Sequence, residues 1–176
     1  MGAVTASSII SHWDQMVDGM QQSSAEFYGA VDRLLKDAHL DDARIERVNI
    51  HEGGLLSAKR EYLQVRRKEH VFHICAAPFG NGFFISWWLG EVRSGLMAEL
   101  TRIPYVGGFF AFLANVAKPL TYYRVDTALM FQSVTHGAVL ASLDSLINAK
   151  GMRALTEMEK KPVMRDFFGA LSGGKA

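Results

Sequence analysis

The sequence predicts an α+β fold: a long N-terminal helix over residues 7–38, a four-stranded antiparallel sheet over 44–91, and a helical C-terminal part over 92–171 packed on the sheet. Two observations support this. Apolar residues recur every three or four positions near both ends of the chain, whereas the middle carries short runs rich in β-branched and aromatic residues. We expect a single domain, 1–176, because a chain of this length can bury one substantial core.

The N-terminal helix is predicted from a stripe of apolar or small residues at helical spacing. The stripe consists of Ile10, Trp13, Val17, Met20, Ser24, Phe27, Val31, Leu34 and Ala38. One continuous helix over 7–38 would be about 48 Å long, which is more than a small domain usually needs. Such a helix would lie across the sheet or pair with a partner helix. Alternatively, Gln21–Ser24 breaks it into two shorter helices.

Four strands are predicted in the middle of the chain. Arg44–Ile50 and Glu61–Arg67 are the first two, joined by a turn that contains Gly53 and Gly54. Val71–Ala77 and Phe83–Leu89 form a hairpin around a turn with two glycines. Together they predict a meander.

The second hairpin strand is apolar on both of its faces. Successive side chains of a strand point to opposite sides, so Trp87 and Trp88 face opposite ways. A strand with one solvated face would alternate apolar and polar residues. We therefore expect both sides of Phe83–Leu89 to be covered by this chain, by another subunit or by lipid.

The segment Ile103–Ala117 has no charged residue and is bracketed by Arg102 and Lys118. It is shorter than the ~20 residues of a membrane-spanning helix. Three interpretations stay open: burial inside the domain, contact with another subunit, or contact with a membrane surface. The candidate interface or membrane residues are Tyr105, Phe109, Phe110, Phe112 and Leu113.

The strongest helix prediction is Thr121–Asn148, which carries an apolar stripe and a second stripe of small residues. The small residues, which permit close approach of a neighbour, are Ala138, Ala141, Ser142 and Ser145. Further helices are predicted over Val92–Leu100, Arg153–Lys160 and Pro162–Leu171. Residues 172–176 are expected to be a flexible tail.

The sequence carries no motif for phosphate, dinucleotide or zinc-protease chemistry. The best catalytic candidates are His73 and Cys75, which share one face of a strand. A histidine beside a cysteine can activate the thiol, or both can bind a metal. A buried cysteine is more commonly a small apolar residue, and the other histidines lack ligand spacing. We therefore expect no metal and no cofactor.

A second candidate is a small-molecule pocket between the sheet and the helices. Gln132 and His136 interrupt the apolar stripe of the long helix, and Trp87 and Trp88 provide aromatic surface. A few polar groups in an apolar wall are typical of a ligand pocket. The plainer interpretation is that the polar side chains are hydrogen-bonded within the core.

Three function classes follow. The first is a non-enzymatic interaction or scaffold protein that uses apolar surface for self-association or peripheral membrane contact. The second is a binding domain for an apolar small molecule, and the third a cysteine- and histidine-dependent enzyme. The net charge of +1 gives no indication of a nucleic-acid partner, so we expect a homo-oligomer, with a membrane surface as the other candidate partner. One cysteine and no secretory leader pattern favour a cytoplasmic location, peripheral at the membrane in the lipid alternative.

Overall fold

The computed structural model describes residues 8–40, 42–51, 59–92 and 121–164. Six strands and two helices lie in these ranges. In chain order they are β1 (Ser8–Asp18), α1 (Ser24–Asp37), β2 (Arg44–His51), β3 (Lys59–Arg67), β4 (His70–Phe79), β5 (Gly82–Glu91), α2 (Tyr122–Ala149) and β6 (Val163–Met164).

The six strands form one antiparallel sheet in the order β2-β3-β4-β5-β1-β6. The α+β class and the antiparallel sheet are confirmed, and the four predicted strands occur as the meander β2 to β5. The predicted count of four is wrong, because β1 pairs with the outer edge of β5 and β6 pairs with β1.

The predicted N-terminal helix over 7–38 is also wrong. Its first part is β1, its second part is α1, and the break falls after Gly19, whose positive φ of 72° turns the chain. A bulge between Ile9 and Ser11 explains why the apolar residues of β1 are spaced like those of a helix. Trp13 and Val17 are buried as strand alternation requires, but the bulge also buries Ile10, which lies out of step with them. The resulting interval of three residues imitates a helical turn.

Both helices pack on one side of the sheet, which we call the first face. The sheet contributes Trp13, Val17, Leu63, Val65, Phe72, Ile74, Ala76, Phe83, Ile85, Trp87 and Leu89 to this core. Phe131 of α2 meets Phe72 edge to face with the ring centroids 5.1 Å apart, and Phe27 of α1 meets Phe83 at 5.9 Å. The opposite side of the sheet is called the second face below.

Tyr28 fixes α1 to the sheet. Its hydroxyl donates to the carbonyl of Glu61 at 2.9 Å and accepts from the amide of Ala76 at 2.9 Å. The two strands that carry these groups, β3 and β4, are paired only from Leu63 with Ile74 to Arg67 with His70. The hydroxyl therefore bridges backbone groups where the ladder has ended, and burial raises the pKa of Tyr28 far above its usual value.

The helix predicted over Thr121–Asn148 is confirmed as α2, but the one predicted over Arg153–Lys160 is wrong. That stretch consists of turns held by Glu159, which accepts from the side chains of Arg153 and Thr156. In place of a helix beginning at Pro162, residues 163 and 164 pair with β1.

The predictions for Val92–Leu100, for Ile103–Ala117, for the rest of the last helix and for the tail at 172–176 fall largely or wholly outside the described residues. Neither described helix has the length and apolar character needed to cross a bilayer.

Candidate functional site

One row of side chains crosses the second face from β1 to β2. The strand registers align His12 with Trp88, Trp88 with His73, His73 with Gln64, and Gln64 with Glu46. We call these five residues the cross-strand row. Their side chains share one face because cross-strand partners in an antiparallel sheet point the same way.

The β2 half of the cross-strand row is a continuous hydrogen-bond chain. The Gln64 amide donates to Glu46 Oε1 at 2.9 Å, and its oxygen lies 3.2 Å from His73 Nε2. Because an amide oxygen can only accept, His73 carries its hydrogen on Nε2. Glu46 also meets Arg44 at 3.2 Å. The Glu46 carboxylate thus orients the Gln64 amide, and the amide orients the His73 imidazole. In the neutral ring, Nδ1 is then the unprotonated nitrogen.

The β1 half of the row is aromatic and more accessible. His12 stacks on Trp88 with the ring centroids 4.7 Å apart and the planes inclined by 16°. Trp88 is 43% exposed, which is unusual for a tryptophan on a sheet face. This half of the row is therefore an aromatic platform open to solvent.

Cys75 lies beside the cross-strand row, opposite Ser86 on β5. Burial raises the pKa of its thiol above the usual value, and the nearby Arg60 guanidinium lowers it by less. A thiol with a raised pKa is protonated at neutral pH and is a poor nucleophile. His73 and Cys75 do share a face as predicted, but this electrostatic setting is the reverse of an activated cysteine. Among the described residues no three His, Cys, Asp or Glu side chains are grouped to hold a metal ion.

The predicted pocket residues are divided between the two faces. Trp87 lies on the first face and donates from Nε1 to His136 Nδ1 at 3.0 Å, and His136 Nε2 donates to the carbonyl of Lys160 at 2.7 Å. Gln132 accepts from Ser11 at 2.5 Å. The structure places these three on the first face, each with a hydrogen-bond partner, and leaves Trp88 on the second face. Burial lowers the pKa of His136.

The outer side of α2 is a further candidate surface. Its exposed residues are Leu129, Met130, Ser133, Gly137, Ala141 and Ser145. A groove of about 540 Å³ lies between this side and α1, with Phe27, Leu34 and Leu146 among its lining residues. Two of the predicted small residues, Ala138 and Ser142, are buried instead.

Sequence reasoning found His73, Cys75 and Trp88 but missed the contributions of His12, Gln64 and Glu46. The missing signal is the pairing register, since residues distant in sequence join the row only when the strands are aligned. The predicted interface residues between 105 and 113 lie outside the described residues.

Comparisons with protein-family models, with curated proteins and with solved structures found no match to this chain. The candidate function therefore depends on the chain's own geometry.

Proposed function

We propose that this protein is a non-enzymatic interaction protein that self-associates through the outer side of α2. The observation that supports this is the absence of charge on an exposed helix. From Thr127 to Leu143 the sequence has no Asp, Glu, Lys or Arg, yet Met130 is 59% exposed and Leu129 is exposed beside it. A helical stretch of this length that is uncharged on all sides is normally covered on all sides.

The contrast with α1 strengthens the argument. Both helices pack on the same face of the same sheet, but α1 presents exposed charged residues to solvent. These are Glu26, Arg33, Lys36 and Asp37. Of the two helices in the described part of the chain, α2 alone departs from the usual amphipathic pattern, which supports a role for its outer side in a contact.

Four small residues make close packing possible on this side. Ser133, Gly137, Ala141 and Ser145 are spaced four apart and are all exposed, so they form one strip along the helix. A Cβ added at Gly137 would meet no atom within 4 Å. Small residues let two helices approach closely, and flanking Leu129 and Met130 would supply the apolar contact.

A second copy of the chain is the partner that this chemistry fits best. An uncharged strip offers nothing to a charged partner, but it is complementary to itself when two copies are related by a twofold axis. The cores of homodimer interfaces are also more apolar than other interfaces. The membrane alternative is retained as an outcome of the test below.

Light scattering after gel filtration tests this proposal. We expect a dimer for the natural sequence and a monomer for Ala141→Glu, because a buried unpaired carboxylate weakens association by about tenfold or more. Ala25→Glu on exposed α1 is the matched control and should remain dimeric. A natural-sequence monomer at every concentration refutes the proposal. Flotation of that monomer with lipid vesicles, lost in Ala141→Glu, assigns the surface to a membrane instead.

A further inference from the structure

We infer that Trp88, His12 and Asp14 on the second face of the sheet form a docking site for an arginine side chain of a partner protein. This inference concerns the side of the sheet opposite both helices and does not depend on the proposed self-association through α2. We call Trp88, His12, Asp14, Met16 and Asp18 the aromatic–acidic patch. All five belong to the paired strands β1 and β5 and point to the second face.

The open indole of Trp88 is the first part of the site. His12 stacks on one face of the ring with the centroids 4.7 Å apart, yet 43% of the Trp88 side chain stays exposed. An indole with both faces covered would expose little more than its rim, so much of the other face is open to solvent. The chain's other tryptophans, Trp13 and Trp87, are buried, and each donates from Nε1 to a partner within the chain. Trp88 is therefore the tryptophan that can contact another molecule.

The carboxylate of Asp14 is the second part of the site. Asp14 is exposed and lies opposite Ser86, so Trp88 is its diagonal neighbour on the same face. Diagonal neighbours of this kind are roughly 7–8 Å apart. This separation has room for a flat cation, with about 3.5–4 Å between the cation and the ring and about 2.8 Å between its nitrogen and the carboxylate.

The charges around Asp14 favour a positive partner. The carboxylates of Asp32, Asp42 and Glu159 each form an ion pair with a lysine or arginine of the chain. Within the part of the chain that the structure describes, Asp14 forms no such pair. Asp18 adds a second exposed carboxylate, and the second-face residues of β1, β4 and β5 include no lysine or arginine. A negative charge without a partner, beside an open aromatic ring, attracts a cation.

Arginine fits this site better than other cations do. The guanidinium group is planar, so it can stack flat on an indole while its N–H groups bond a carboxylate, whereas the lysine ammonium is a compact point charge. A quaternary ammonium group is usually held by a cage of several aromatic rings. Trp88 stands on an open sheet face with one histidine as its ring neighbour, which is not such a cage.

The shape of the surface indicates that this arginine belongs to a protein. Small-molecule ligands are usually held in clefts that bury most of their surface, and the second face at Trp88 is open. Exposed Met16 lies on the patch, and Phe79, which is 69% exposed, lies further along the same face. These side chains can cover the residues that flank the arginine. Tryptophan and arginine are also the residues that most often dominate protein–protein binding energy.

Titration with short capped peptides, followed by NMR of the indole groups, tests the inference. The probe has one arginine among uncharged residues, and its controls carry citrulline, a neutral isostere, or lysine instead. The indole signal of Trp88, assigned with Trp88→Phe, should move with the arginine peptide, while those of Trp13 and Trp87 stay in place. The arginine peptide should bind about tenfold more tightly than the citrulline peptide, because only the guanidinium carries a charge. It should also bind more tightly than the lysine peptide.

Asp14→Asn tests the acidic part of the site and keeps the size of the side chain. In this variant the preference for arginine over citrulline should decrease by at least about threefold. Asp37→Asn, at an exposed position of α1, is the matched control and should keep the full preference. Equal binding of the arginine peptide and either control peptide overturns the inference. So does an immobile Trp88 signal at the highest soluble peptide concentration, or an unchanged preference in Asp14→Asn.

Discussion

Single hydroxyl and imidazole groups hold the helices of this protein to its sheet. The Tyr28 hydroxyl satisfies two backbone groups beyond the end of the β3–β4 ladder, and His136 joins Trp87 to the chain that returns after α2. Buried backbone groups without a hydrogen-bond partner are costly, so these side chains contribute more to stability than their apolar contacts alone.

Tyr28→Phe should destabilise the protein by about 1–3 kcal/mol, because the ring is retained while the Ala76 amide and the Glu61 carbonyl lose their partner. Urea unfolding followed by circular dichroism measures the change. Tyr123→Phe, at an exposed position, should change stability by less than about 0.5 kcal/mol. Equal effects of the two variants would show that the hydroxyl bridge contributes nothing.

Residue-level prediction from the sequence succeeded where neighbours along one strand decide the outcome. His73 and Cys75 share a face by alternation alone, but the reversal of their expected chemistry comes from burial, which outweighs the opposite effect of Arg60, a residue of another strand. His136 was placed correctly in the apolar stripe, whereas its partners lie at Trp87 and Lys160, which no helical periodicity can identify.

At the scale of elements, β5 packs tightly against β1 at its first residue. A Cβ added to Gly82 would lie 2.9 Å from the carbonyl oxygen of Val17, closer than real contacts allow. Gly29 in α1, by contrast, has open space around it. The same substitution to alanine at these two glycines should therefore have opposite effects on stability.

Gly82→Ala should destabilise the protein by about 1–3 kcal/mol, since the backbone of β1 must shift to admit the methyl group. Gly29→Ala should stabilise it by about 0.5–1 kcal/mol, because alanine favours the helix and has room there. Thermal unfolding of both variants under the same conditions checks the opposite signs. Stabilisation by Gly82→Ala would contradict the close packing of β1 on β5.

The elements that sequence reasoning located were those with long, regular patterns. The strands β2 to β5 alternate or run apolar between turn residues, and α2 maintains its spacing over seven turns or so. The strand β1 was missed because its bulge breaks the period of two, and β6 because two residues carry no period. The order of the sheet depends on β1, so it could not be predicted either.

At the scale of the whole molecule, stability should depend on pH through His70, which is buried, and His136, which is half-buried. Burial lowers the pKa of His70 and of His136 below the usual 6.5, although Glu69 and Glu91 oppose the shift at His70. Below about pH 6.5 the unfolded chain binds protons that the folded chain does not. Stability is therefore complete above that pH and falls as the pH decreases.

We expect the free energy of unfolding to decrease from pH 7.5 to pH 5, with a slope of at most about 1.4 kcal/mol per pH unit for each histidine. Urea titrations at several pH values measure it. The double variant His70→Gln with His136→Gln should flatten this slope, whereas His39→Asn, at an exposed position, should keep it. A slope that persists in the double variant would assign the dependence to other groups.

The place of β1 inside the sheet has a consequence for synthesis on the ribosome. The strand β1 emerges well before its partner β5, which begins at Gly82, some 64 residues after β1 ends at Asp18. At roughly 5–20 residues per second, the nascent strand waits for several seconds with Ile10, Trp13 and Val17 unpaired. Such a segment is a natural substrate for chaperones that bind apolar nascent chains.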